Sequence, residues 1–301
     1  MRETLVLIKA ITREPPKRPM DVVPDNEAGN ALWDLMCACW SYDPTKRPSS
    51  ADISEIMNAL DLSQPFTEVH QGLGSSMGFT PEIGIEEMVT FFTQNGLIDY
   101  TDELKRGDTK FKLHIPYLAT AAALLYKIDL PINKVIIKCA VNESPYKQLK
   151  SGYQHENILP LLGFAVLDGN LAMISPWVEN GSVTGYVKKQ QKPDYYGLCI
   201  QLSCAVAYLH EHGVIHGDIK GVGHNGLPLL PVFSLPYLAG QRPYFGQGYC
   251  ESDRFRRIDQ GAPTARVHIH GKGQRHGVMA PEILRRKTDS TTEGDVYAMG
   301  M

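Results

Sequence analysis

The stretch Tyr208-Leu209-His210-Glu211-His212-Gly213-Val214-Ile215-His216-Gly217-Asp218-Ile219-Lys220-Gly221 decides how this chain is read. Its first part closes a helix. Leu198, Leu202, Ala205, Val206 and Leu209 recur at α-helical spacing, so they form a core-facing stripe and not a site. Upstream, Lys134-Val135-Ile136-Ile137-Lys138 alternates and is β-branched, which predicts a short strand. On that pattern alone it is also an ordinary edge strand with an exposed Lys. Nearer the start, Leu32, Leu35, Met36, Cys39 and Trp40 make one helical stripe, and Ile53, Ile56, Met57 and Leu60 make another. Ser49-Ser50-Ala51-Asp52 is a helix-capping signal, and Tyr42-Asp43-Pro44-Thr45-Lys46-Arg47-Pro48 is a turn-rich hinge between the two stripes.

Composition narrows the class. The 301 residues are 43% hydrophobic and 21% charged, as in a soluble globular protein of one large or two moderate domains. A net charge of −3 gives no surplus of Lys and Arg for nucleic-acid phosphates. The longest apolar run, Leu118 to Tyr126, is too short to span a membrane. Met1-Arg2-Glu3-Thr4 is not followed by a secretory leader pattern. The cysteines at 37, 39, 139, 199, 204 and 250 form no CxxC pair and no disulfide framework, which suits reduced thiols in the cytoplasm. The expectation is a cytoplasmic protein with neither nucleic acid nor membrane as partner.

The order of the pieces resembles a eukaryotic protein kinase of the tyrosine-kinase-like Ser/Thr group, and is similar to expanded fungal kinase families. His216-Gly217-Asp218-Ile219-Lys220 is similar to the catalytic loop His-Arg-Asp-Leu-Lys-x-x-Asn. The resemblance implies that His216 anchors the loop, Asp218 accepts the proton of the substrate hydroxyl and Lys220 meets the transferred phosphate. A Lys two residues after the Asp favours Ser/Thr over Tyr substrates. Lys134–Lys138 looks like the Val-Ala-Ile-Lys strand, which gives Lys138 the α and β phosphates of the nucleotide. His155-Glu156-Asn157-Ile158 through Phe164 looks like the start of the fourth strand, and Leu171 through Val183 like the fifth strand and hinge. Ser175 then stands at the gatekeeper position, Pro176 offers its carbonyl, and Val178 offers its backbone to adenine. Met279-Ala280-Pro281-Glu282 resembles the end of an activation segment. Asp295-Val296-Tyr297 resembles the start of the central helix whose Asp braces the catalytic loop. The resemblance implies an α+β fold with a small β-rich lobe and a mainly helical lobe, both incomplete. It implies ATP and Mg²⁺ as cofactors and a protein as substrate.

Several parts depart from the family pattern. No glycine loop precedes Lys138. Gly72-Leu73-Gly74 and Gly221-Val222-Gly223-His224-Asn225-Gly226 imitate one in the wrong place. Glu143 is the carboxylate at hand to pin Lys138. Gly217 replaces the Arg that reads activation-loop phosphate. Gly223 stands where a metal-binding Asn belongs, and Asn225 falls two residues late. Asp259-Gln260-Gly261 is the only Asp-x-Gly in the irregular stretch 222–277, so Asn225 and Asp259 are the candidate metal ligands. That stretch is either a genuine insertion or a retained intron; His268, His270 and His276 within it lack a zinc-type partner pattern. Two readings stay open: a Ser/Thr protein kinase, or a catalytically impaired pseudokinase or fragment acting as a binding scaffold.

The N-terminal stripes carry lettering of their own. Leu32-Trp33-Asp34-Leu35-Met36 … Cys39-Trp40 … Asp43-Pro44 … Arg47-Pro48 is similar to the last helices of a kinase C-lobe. The chain thus reads as 1–62, C-terminal helices of one kinase-like unit; 63–108, a linker with one helix over Ile85 to Leu97; and 109–301, a truncated kinase domain. Within the last, 109–181 is the small lobe with hinge and 182–301 a partial large lobe. In kinases the Glu of Ala-Pro-Glu pairs with the late Arg, here Glu282 and Arg47 in opposite halves. Residues 1–62 are therefore expected to dock on 196–301, within one chain or between two, unless they are the remnant of an upstream tandem kinase.

Overall fold

Side-chain caps, more than helix propensity, set where the first two helices begin. Asn26 accepts the Gly29 N–H at 2.8 Å and starts α1, Glu27–Cys39. Its Leu32, Leu35 and Cys39 are buried along one stripe. The Asp43 carboxylate then takes the Thr45 N–H at 3.1 Å, folding the hinge into a 3₁₀ turn at Pro44–Lys46. At α2, Ser50–Leu60, Ser49 and Asp52 bond reciprocally: Asp52 accepts the Ser49 N–H at 2.9 Å, and Ser49 Oγ accepts the Asp52 N–H at 3.1 Å. The computed structural model describes residues 16–60, 75–78, 84–105, 116–119, 123–130, 134–140, 148–151, 153, 155–179, 183–217, 219, 279–285, 288 and 290–300.

The chain divides into two units. One comprises Met1–Val69, Asn180–Ala239 and Gly273–Met301; the other comprises His70–Glu179 and Gly240–Lys272. The second is built from β1 (Ser75–Gly78), α3 (Ile85–Gln94), β2 (Ile98–Asp99), α4 (Thr101–Lys105), β3 (Leu118–Ala119), β4 (Ala123–Asp129), β5 (Lys134–Ala140), β6 (Gln148–Ser151), β7 (Gly163–Leu167) and β8 (Asn170–Pro176). Six strands form one sheet in the order β2-β7-β8-β5-β4-β3, and β1 pairs with β6 in a separate ribbon. Asp168 and Gly169 join β7 to β8 at φ of 49° and 74°, the left-handed conformations a two-residue hairpin turn requires. The predicted alternation in β5 holds. Ile137 is fully buried beside Ile174, Ala165 and Ala172 on one face, while Lys138 takes the opposite face.

The stretch expected to be a linker carries more than one helix and belongs to this sheet unit. Phe92 of α3 is fully buried and stacks on Phe164 of β7, centroids 5.5 Å apart. β2 pairs in parallel with β7, and Thr101 Oγ accepts the Val166 N–H at 2.8 Å. α3 also ends before Leu97. Gly96 sits at φ 75°, its N–H reaches the Thr93 carbonyl, and the Leu97 N–H reaches the Phe92 carbonyl, a left-handed stop that closes the helix.

The helical unit continues with α5 (Val183–Lys189), α6 (Tyr195–Glu211), α7 (Pro281–Leu284) and α8 (Thr292–Gly300). Asp194 caps α6 by accepting the Gly197 N–H at 2.9 Å. The expected stripe on α6 is present in Leu198, Ala205, Val206 and Leu209, but Ser203, Ala207 and Tyr208 are buried too. A helix covered on more than one side is a central one. Its cover comes partly from the start of the chain. Val23, Leu32, Leu35, Cys39, Ile53, Met57 and Val296 form one core, against which Tyr196, Ile200 and Met299 pack. Each large side chain in it contributes about 1.5–3 kcal/mol relative to exposure. Residues 16–60 therefore lie, in this one chain, in the same core as α6 and α8.

Candidate active site

The sequence ending α6 aims the loop that follows. Gly213 adopts φ 69°; its N–H bonds the His210 carbonyl at 3.0 Å, and the Val214 N–H bonds the Leu209 carbonyl at 2.8 Å. This stop turns the chain, and Val214, buried, pins the turn. The next backbone is gripped by one carboxylate. Asp295 of α8 is 2% exposed and accepts the N–H groups of His216 and Gly217, both at 2.7 Å. Its Oδ2 also lies 3.0 Å from His210 Nε2. Three bonds to a buried carboxylate are individually strong and hold the loop in one geometry. His210 Nδ1 in turn lies 2.8 Å from Ser50 Oγ, so the chain of bonds runs from α2 to the loop.

Gly217 has a conformational reason for being glycine. It sits at φ 70°, and a Cβ there would lie 2.9 Å from Ser290 Oγ. Next to this frame, Arg47 donates to Glu282 Oε1 at 2.6 Å and to Oε2 at 2.9 Å across 235 residues. It also donates to the carbonyls of Ser41 and Glu293, and its guanidinium lies 5.1 Å from the Tyr297 ring centroid. The Arg47 side chain is 0% exposed, so every one of its bonds is made without competition from water. Burial raises the Tyr297 phenol above its ordinary range.

On the sheet, register places the nucleotide candidates. Lys138 pairs with Met173 and with Leu125, and Ser175 pairs with Ile136. Directly opposed residues share a face, so Lys138, Ile136 and Ser175 stand on the same side of the sheet. Pro176 ends β8 opposite Val135, the Trp177 N–H donates to the Lys134 carbonyl at 2.9 Å, and Val178 follows half-buried. Residues 120–122, which join β3 to β4, contain no glycine. Between β5 and β7 the described element is the strand β6, not a helix.

Other expected residues lie outside the described residues: Asp218, Lys220, Asn225, Asp259, Glu143 and the stretch 222–277. Among the described residues no group of three or more His, Cys, Asp or Glu side chains gathers as a metal site. Ile219, between Asp218 and Lys220, is 8% exposed. Sequence reasoning missed His210 as a partner of Asp295, and Ser50 as a partner of His210. It also missed the aromatic group at the hinge, where Lys127 Nζ lies 4.1 Å from the Trp177 ring and Tyr117 meets that ring edge-on at 5.1 Å. Neither Cys39 nor Cys139 offers a thiolate: burial pushes Cys39 up to about 12 and Cys139 up to about 11. Burial likewise lowers His155 to about 4, so the ring is neutral near pH 7 and its Nδ1 accepts the Asn157 N–H at 3.1 Å.

Comparison with known proteins agrees with this geometry. Residues 141–222 match the family of protein tyrosine and serine/threonine kinases. A probable L-type lectin-domain containing receptor kinase I.5 of Arabidopsis thaliana is 27% identical over 228 residues, which are 66% of this chain and 31% of the relative. The putative receptor kinase I.1 of the same type and organism is 35% identical over 157 residues, 49% of this chain and 20% of the relative. The human interleukin-1 receptor-associated kinase-like 2 is 35% identical over 72 residues, 22% of this chain and 12% of the relative. The chain spans less than a third of the length of these curated relatives. No helix among the described residues is long and apolar enough to cross a membrane. Over residues 141–222 the chain is thus similar to the protein kinases, a likeness that fits a sheet unit carrying Lys138 and a helical unit in which Asp295 grips the loop before Asp218.

Proposed function

We propose that the chain is a Ser/Thr-type protein kinase of the tyrosine-kinase-like group, acting in the cytoplasm on a protein hydroxyl. The observation that carries this reading is the Asp295 carboxylate, which holds the amides of His216 and Gly217 at 2.7 Å each, immediately before Asp218. A loop held by its backbone needs no rearrangement when a hydroxyl arrives, and positioning is the main thing phosphoryl transfer asks of a protein. Asp218 is assigned as the base for the hydroxyl proton and Lys220 as the phosphate contact. Lys138, Ser175, Pro176 and Val178 are assigned to the nucleotide.

The fit to ATP is partial. The shared face of Ile136, Ser175 and Lys138 suits an adenine and a phosphate contact. The phosphate cradle does not fit, because residues 120–122 offer no run of glycine amides. ATP, when bound, supplies the phosphoryl group. Mg²⁺ has no donor set among the described residues, and no step is assigned to it. The lack of glycine between β3 and β4 favours a second reading, a non-catalytic nucleotide-dependent or nucleotide-free scaffold. A phosphoryl-transfer assay with Asp218→Asn, together with an ATP melting shift with Lys138→Met, separates the two. Transfer lost in the first variant and a shift lost in the second support the kinase. A Lys138-dependent shift without transfer supports the nucleotide-binding scaffold, and no shift and no transfer support the nucleotide-free one.

A further inference from the structure

One side of α2 is polar where it meets α6. Ser50, Ser54 and Asn58 recur every four residues, which sets them along one line of the helix. Ser54 Oγ lies 3.2 Å from Cys204 Sγ, and Asn58 Nδ2 lies 3.7 Å from the same sulfur. Those contacts end at a weakly bonding thiol. Ser50 meets something different. It is 3% exposed, and the capping of α2 already falls to its neighbour Ser49, whose Oγ accepts the Asp52 N–H. The Ser50 hydroxyl instead reaches His210 Nδ1 at 2.8 Å, and the other nitrogen of that ring reaches Asp295 Oδ2 at 3.0 Å.

The roles along this line follow from what each group can do. The Asp295 carboxylate accepts the amides of His216 and Gly217, so His210 Nε2 is the nitrogen that carries a proton towards it. In a neutral imidazole the second nitrogen is then an acceptor, and the Ser50 O–H is the donor that satisfies it. Without that donor the ring gains by flipping or by moving its proton to Nδ1. Either change takes the proton from between Nε2 and Asp295 and loosens the group that grips the loop. We propose that Ser50 is a positioning residue: its hydroxyl locks His210 in the Nε2–H tautomer and makes the grip on His216 and Gly217 depend on the docking of α2. Bracing by Asp295 is what the family resemblance implies. Control of that brace from a hydroxyl 160 positions before His210 is an addition of this chain's own packing.

The test compares Ser50→Ala, Ser50→Thr and Ser54→Ala in the full chain, labelled with ¹⁵N. Ring-nitrogen NMR at alkaline pH reads the tautomer, and amide exchange reads the loop. The wild-type chain is expected to show His210 with Nε2 protonated and Nδ1 hydrogen-bonded. Ser50→Ala should move the Nδ1 resonance to that of an unbonded or newly protonated nitrogen. It should also quicken exchange at His216 and Gly217 about three- to tenfold, the worth of one hydrogen bond. Ser50→Thr keeps the hydroxyl and should restore both readings. Ser54→Ala breaks a contact on the same line without touching His210, and should change neither. Ring resonances of Ser50→Ala that match the wild type overturn the proposal. A quickening that Ser54→Ala reproduces overturns it too, because it marks a general loosening of α2. The bearing on phosphoryl transfer rests on the kinase reading, under which Ser50→Ala lowers kcat about three- to tenfold with KM for ATP unchanged. Absent transfer in the wild-type chain overturns that reading instead, and the ring and exchange results still judge the lock.

Discussion

Each unit is held together internally by its own chemistry. The helical unit joins distant parts of the chain with buried charge: Arg47 to Glu282, and Asp295 to His210, His216 and Gly217. The sheet unit joins its parts with apolar stacking, Phe92 on Phe164, and with strand pairing between near neighbours. Directional bonds specify one docking among many for helices that meet across 235 residues. Hairpins need less instruction, because the alternation of side chains already fixes which face is inward. The contrast extends to the candidate site. In the helical unit one carboxylate frames the backbone of the loop, whereas in the sheet unit strand register lines Lys138, Ile136 and Ser175 on one face.

The largest expected effect tests the charged join. Arg47→Ala leaves Glu282 without its bidentate partner in a buried setting and should cost about 4 kcal/mol in urea unfolding. The swap Arg47→Glu with Glu282→Arg should recover part of what either single reversal loses. A cost near zero would show that apolar packing alone docks residues 16–60. Phe92→Ala is the matching cut in the sheet unit, expected to cost about 3 kcal/mol through lost contact and a cavity. Hydrogen exchange should rise at β7 and β8 and stay unchanged at α6; a rise in both would dissolve the contrast.

Gly217→Ala is expected to cost about 1–2 kcal/mol from its left-handed backbone alone. Exchange at the His216 and Gly217 amides should quicken with it. Restoring the family residue with Gly217→Arg should therefore damage the loop, and a neutral or stabilised Gly217→Arg would refute the strain argument. The smallest effect is one of pH. His155 is depressed to about 4 in the fold by burial, against an ordinary value of 6.5. Above that ordinary value neither state binds the proton. As pH falls below it the unfolded chain binds the proton first, so sheet-unit stability should decline until about pH 4 and then level off. Solvent screening keeps the loss to about 1 kcal/mol. His155→Gln should flatten that decline, and a slope that survives the substitution would point to another group.

Local instructions were legible in the sequence. The Ser49-Asp52 cap, the β-branched alternation before Lys138 and the helical stripe before Gly213 all act within a few residues, so spacing alone reveals them. The resemblance added Asp295 and the Arg47–Glu282 pair, which spacing cannot reach. What stayed hidden depends on partners far along the chain. The connector became part of the sheet unit because Phe92 finds Phe164, and neither residue announces the other. Ser50 looked like a capping residue and nothing more; its bond to His210 exists only once α2 packs on α6. The Asp168-Gly169 turn was readable and went unread, since attention fell on the strand lettering around it.

The pairing of Arg47 with Glu282 also sets a schedule for biosynthesis. At about 5–20 residues per second, the ribosome takes roughly 10–50 s to advance the 235 positions from one to the other. During that interval α1 and α2 are already made, while Val296 and Met299, part of their apolar cover, are not. Leu32, Leu35, Ile53 and Met57 are then exposed to solvent on a nascent chain, a natural target for a holding chaperone. Release before α8 emerges would expose a sticky hairpin of helices to its neighbours. The yield of native protein should thus depend more on the speed of translation than on the stability of the finished fold.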